Sequence, residues 1–194
     1  MALGPLTSDT RYLPEVRDDL GEFARLLAFL DALERRAPGQ ISVLSSSGVL
    51  CDDVLRWANR SRHWSYYSPG KILPTANVDL RDGFPVLLLM SRYILVTVPP
   101  LIHLRPEDQR VILFPRDSLL EGRDIGRAFS MHRVAFVLEG GVKVLVFERT
   151  GPIEEEAVAA LVRRFRYFYP PETGFYDRLR LLPERFAPVL EGLR

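Results

Sequence analysis

The stretch FPVLLLMSRYILVTVPPLI, Phe84 to Ile102, decides the fold: it carries one charge, Arg92, near its middle. A transmembrane helix needs roughly 20 mainly apolar residues, and an Arg at its centre costs about 2.5 to 3.5 kcal/mol. Pro99 and Pro100 would break the last turn of such a helix, while Ile94, Val96, Thr97 and Val98 are β-branched, stiff at χ1 and suited to a pleated strand. The stretch therefore reads as two short strands with a turn at Ser91-Arg92, and no membrane span is expected. In the second strand Ile94, Val96 and Val98 face one side and Tyr93, Leu95 and Thr97 the other, and only one of these faces has to be fully buried.

Upstream, PEVRDDLGEFARLLAFLDALERR, Pro14 to Arg36, places Val16, Leu20, Phe23, Leu27 and Leu30 on one helical stripe. Pro14 suits a first turn, Arg35 and Arg36 suit a last one, and Pro38-Gly39 follows as a stop. The stripe can pack on its own domain or serve as a self-pairing seam for a homo-oligomer. QISVL then reads as a short strand, and a helix from about Val49 to Arg62 follows the Ser45–Gly48 loop. Ser47 as its cap, with Asp52 and Asp53 on the dipole, accounts for that loop without an anion bound at the helix start.

Downstream the pattern is strand-rich. KILPTANVDL, RVILF, RVAFVLE and VKVLVFE read as strands, the last two joined by Gly140-Gly141 as a tight hairpin. Pro152 and Glu154 to Glu156 open a helix over Ile153 to Phe168, with Val158, Leu161, Val162, Phe165 and Phe168 as its buried stripe. A broken helical tail follows.

A glycine-marked turn, the LLLMSRYILVT pair, further strands, a GG hairpin and one amphipathic helix resemble the bacterial pleckstrin-homology (PH) and GRAM-like domains over about 71–169, with Ser91-Arg92-Tyr93 the nearest match. The resemblance implies an α+β chain: an antiparallel roll closed by the 153–168 helix, with the N-terminal helices alongside. It divides the chain into a helical region 1–67, a PH-like roll 68–169 and a tail 170–194, and implies a binding and assembly scaffold. Lipid-binding members carry a basic loop between their first strands. Here that region is NVDLRDG, with Asp79 and Asp82 beside Arg81, which argues against phosphoinositide binding.

Composition narrows the chemistry. At 194 residues the chain suits one substantial core, and its formal net charge of +1 supplies no bulk field toward nucleic acid or anionic lipid. Lys71 and Lys143 are the only lysines, so a phosphate-binding G-x-x-x-x-G-K-[ST] loop is absent. Scarce Asn and Gln with many prolines fit a bacterial thermophile. The lone Cys51 allows no intrachain disulfide and reads as a small buried hydrophobe. The first residues lack the basic start and apolar core of a signal peptide, so the cytoplasm is the expected compartment.

His63, His103 and His132 show no metal-ligand spacing, and no cofactor is expected. The leading expectation is a non-catalytic cytoplasmic module acting through protein contacts, with a protein rather than a nucleic acid as partner. Its anchors are placed in RSRHWSYY: Trp64, Tyr66 and Tyr67, with Arg60 and Arg62 at the rim, because large aromatics and Arg dominate binding hot spots. A second aromatic-basic run is RRFRYFYPP, Arg163 to Pro171. The alternative is a metal-dependent phosphoesterase or nuclease using Asp79, Asp82 and Asp117, which requires those carboxylates to converge within reach of one cation.

Overall fold

The structure, a computed structural model, describes residues 18–62 and 71–191. It is an α+β arrangement. Strands β1 (Ile41–Leu44), β2 (Tyr93–Val98), β3 (Phe129–Leu138) and β4 (Val142–Arg149) form one sheet in the order β1-β2-β4-β3. β1 runs parallel to β2, and the other two pairings are antiparallel. Where an all-antiparallel roll is expected, the sheet is open, has four strands and contains a parallel pair.

Three of the expected strands are not strands. The first half of the deciding stretch is α4 (Val86–Met90), a buried helical turn ending at Ser91, so Phe84–Ile102 supplies one helical turn and one strand. Leu87 to Leu89 have good helix propensity, and five residues are too few to show a period. The 71–80 segment contributes only an isolated parallel bridge, Ile72 to Ile41, before α3 (Asp79–Asp82). RVILF opens α5 (Arg110–Glu121), which ends at Gly122 in the left-handed conformation that favours glycine. No helix among the described residues is long and apolar enough to cross a membrane.

α1 (Leu20–Arg36) lies on one face of the sheet; Pro14 to Arg17 fall outside the described residues. Its stripe of Phe23, Leu26, Leu27, Leu30 and Leu33 packs against Ile41, Val43, Tyr93, Leu95, Phe136, Val144 and Val146. The helix also reaches the outer edge of β3. Arg25 donates to the Ala135 carbonyl at 2.9 Å, Glu22 accepts from the Val137 N–H at 3.3 Å, and Asp19 accepts from the Glu139 N–H at 2.7 Å. On the other face, α4, α5 and α6 (Glu155–Arg166) bury Ile94 and Val96. Both faces of β2 are thus buried up to Thr97, beyond the single face expected, which explains why it reads as a near-continuous apolar run.

The C-terminal segment, with 3-10 turns at Pro171–Thr173, Asp177–Leu181 and Glu184–Phe186 before α7 (Ala187–Glu191), closes the same face. It is tied on by aromatic rings. Phe165 lies 5.5 Å from Phe84, 5.1 Å from Phe114 and 5.0 Å from Phe175, centroid to centroid. The turn that delivers Phe84 needs glycine. Gly83 has φ of 66°, and a Cβ there would stand 2.9 Å from the Phe175 carbonyl oxygen, which accepts the Phe84 N–H.

Candidate functional site: a cleft beside the first strand

Of the expected partner anchors, Trp64, Tyr66 and Tyr67 lie outside the described residues, as does His63. Arg60 and Arg62 end α2 (Asp52–Arg62), but their side chains also lie outside the described residues. One turn earlier on that helix, ahead of the RSRHWSYY run, Trp57 is 66% exposed, an aromatic that the sequence reading passed over. RRFRYFYPP divides by the helical period. Phe165 and Tyr169 are core, Phe168 is half out, and Tyr167 is 86% exposed, with the Arg110 guanidinium 3.9 Å from the Phe168 ring centroid.

The three aspartates have separate structural partners. Asp79 is buried; its Oδ1 accepts the Val111 N–H at 2.8 Å, its Oδ2 accepts the Tyr169 hydroxyl, and Arg110 stands 3.8 Å away. Burial and the Asp79 hydrogen bond push the Tyr169 phenol up to about 12. Asp82 reaches back to the N–H groups of Asn77 and Val78, both at 2.9 Å, and Asp117 pairs with Arg116 at 3.0 Å. No group of three or more His, Cys, Asp or Glu among the described residues is disposed to hold a metal ion.

Burial alone would raise the Asp82 carboxyl, but Arg81 and the two backbone donors outweigh it and bring the group to about 2. Its folded value is therefore below its unfolded one, so its contribution is present above about pH 4 and is lost as pH falls toward 2. Asp82→Ala is expected to cost about 0.5–2 kcal/mol near neutrality, the range for a lost helix-start acceptor. In urea titrations the gap to wild type should close on acidification through that window; a gap independent of pH would contradict this assignment.

The remaining sequence candidates are structural. Ser47 does not cap α2. It accepts the Leu50 N–H at 3.4 Å, and α2 starts at Asp52 after the half-buried Cys51, whose sulfur accepts the Val54 N–H at 3.5 Å. Cys51 is thus at the helix start, where its partial exposure departs from the buried hydrophobe expected. His132 Nε2 lies 3.2 Å from Glu148 Oε2 without alignment for a hydrogen bond, and Glu148 also receives Arg36 and Arg92. Gln109, one of only two glutamines, is fully buried beyond the carboxyl ends of β1 and β2. Its oxygen accepts the His103 and Leu104 N–H groups at 2.8 Å, and its amide donates to Ser46 Oγ and the Asn77 carbonyl. His103 Nδ1 lies 3.1 Å from the Ser46 carbonyl and 3.2 Å from the Gln109 amide nitrogen. That network is satisfied internally and clamps three loops together.

Two open clefts stand out among the described residues: one of about 600 Å³ bordered by Arg127, Thr150 and Glu154, with charges of both signs and open polar walls, and one of about 250 Å³ between the β1 edge and the C-terminal segment. The walls of the smaller cleft are Ser42 to Leu44, Pro74 to Ala76, Phe84 to Leu88, Val111, Arg178 and Leu181. Polar atoms in the walls are already engaged: Ser42 and Ser91 hydroxyls bond each other at 2.6 Å, and the Thr75 hydroxyl donates to the Val43 carbonyl at 2.9 Å. The interior presented to a ligand is consequently mostly apolar. Sequence reasoning missed this site because its parts come from five separate segments, and the β1 edge is positioned by the 71–75 stretch through Ile41 N–H to Lys71 O and Leu73 N–H to Ile41 O. The chain matches no protein-family model, and no curated protein or solved structure is similar enough to it to count as a match.

Proposed function

We propose that this chain is a non-catalytic binding and assembly module of the cytoplasm that acts through protein contacts, and that the cleft beside β1 receives an apolar side chain of the partner. The cleft carries this reading. Small-molecule and cofactor pockets usually occupy about 300–1,000 Å³, so a volume of about 250 Å³ suits a single large side chain better than a cofactor. One deeply seated apolar anchor is the pattern of a binding hot spot. The resemblance of 71–169 to PH and GRAM-like domains favours the same function, since that family is mainly a binding scaffold, and kinship with it is part of this proposal. Trp64, Tyr66 and Tyr67, with Arg60 and Arg62, belong to the proposed contact surface, to which exposed Trp57 on the same helix adds an aromatic. The phosphoesterase alternative gains no comparable support, because Asp79, Asp82 and Asp117 are each engaged by different groups.

Selection from a random-peptide library on the immobilised protein tests the reading. Enriched peptides should share one large apolar residue, and Ala76→Phe, which fills the cleft from its wall, should abolish their binding while leaving the circular-dichroism spectrum and unfolding midpoint near wild type. Peptides that bind Ala76→Phe as well as wild type would remove the cleft from the function.

A further inference from the structure

We infer that the cleft is selective for a protein segment in which an acidic residue accompanies the apolar anchor, with Arg178 as the recognising group. This rests on the cleft being the binding site. Arg178 is the only charged residue among those lining it, and no carboxylate among the described residues pairs with it. Its neighbour Arg180 has Asp177 at 3.7 Å, so the turn supplies a counter-charge to one arginine and none to the other. Arg178 and Leu181 lie on the 3-10 turn Asp177–Leu181, where residues three apart line up on one face. Leu179 and Leu182 occupy the opposite, inward face. The mouth therefore presents a 65% exposed leucine and an unpaired guanidinium side by side, above walls whose hydroxyls are already bonded. A segment carrying an apolar side chain and a carboxylate in close succession matches both, and a guanidinium can take the carboxylate through two parallel hydrogen bonds. Cationic and neutral segments match only the apolar part.

Phenylbutyrate, phenylbutanol and phenylbutylamine share one apolar body and differ in charge, so their binding to the full chain, followed by backbone amide shifts at Val43, Leu44, Ala76 and Val86, separates the two contributions. The carboxylate should bind about two- to fivefold tighter than the alcohol, as for an exposed ion pair, with the amine weakest and the preference falling as salt rises. Arg178→Gln should equalise the carboxylate and the alcohol, and Arg178→Glu should place the amine first. In cleft-binding peptides from the library, Glu or Asp beside the anchor should be enriched on wild type and replaced by Lys or Arg on the Arg178→Glu protein. Equal binding of all three probes to wild type, or an order unchanged in Arg178→Glu, would overturn the charge inference while leaving the cleft as an apolar site. Absence of any probe from the cleft would overturn both. Decanoate binding tighter than every selected peptide would overturn the assignment to a protein segment in favour of a free lipid.

Discussion

Asp79→Ala is expected to destabilise the fold by about 3–5 kcal/mol, the cost of removing one partner from a buried charged network. The Asp79 carboxylate holds the Val111 N–H, the Tyr169 hydroxyl and the field of Arg110 together at the junction of α3, α5 and the end of α6. Its loss leaves the buried Val111 amide without an acceptor, leaves the Tyr169 phenol only the Glu107 carbonyl at 3.2 Å, and removes the carboxylate that faces the Arg110 charge. Asp79→Asn retains an acceptor oxygen and should fall between the variant and wild type. Urea unfolding monitored by far-ultraviolet circular dichroism measures all three proteins. A loss below about 1 kcal/mol in Asp79→Ala, within the range of an ordinary net hydrogen bond, would mean that the network does not hold these elements together.

Phe165→Ala is expected to cost about 3–5 kcal/mol and to impair the cleft as well. Phe165 is fully buried and sits among Phe84, Phe114, Tyr169 and Phe175, so truncation leaves a hollow ringed by aromatic edges. Phe84 is also a wall of the cleft. The wall should shift into the hollow, and apolar probes should bind more weakly than the loss of stability alone accounts for. Phe165→Leu retains most of the volume and should recover most of both properties. Binding that stays at wild-type affinity in folded Phe165→Ala would separate the aromatic stack from the cleft.

Locally encoded elements were legible in the sequence. The β3–β4 hairpin is marked by Gly140 and Gly141, which adopt φ of 68° and 75°, and α6 announces itself by Pro152, its acidic first turn and its stripe. α5 was misread because its start is settled from a distance. The Val111 N–H is held by Asp79, 32 residues earlier in the chain, and Val111 and Ile112 carry strand propensity of their own. Pro115 inside α5 removes one of its hydrogen bonds, so the helix also lacks an uninterrupted local signal. α4 is too short to display a period, and β2 is buried on both faces, so the two merge into one apolar run. The cleft was illegible for a related reason. Arg178 and Leu181 gain significance only from facing β1, and no local pattern relates Ser42 to a turn near the C-terminus.

The side chains of α1 that touch the rim of β3 have a consequence for how the chain behaves at high concentration. β3 ends the sheet, and an exposed strand at the end of a sheet is a template on which another molecule can add its own strand. Asp19, Glu22 and Arg25 occupy backbone groups of Glu139, Val137 and Ala135 that an incoming strand would need, and the irregular register between Met131 and Ala135 interrupts the rest of the ladder. At the opposite end, the 71–75 stretch covers β1. Both ends of the sheet are thereby shielded in part against strand addition, by side chains at β3 and by backbone at β1, so an added strand would have to displace contacts the chain already makes with itself.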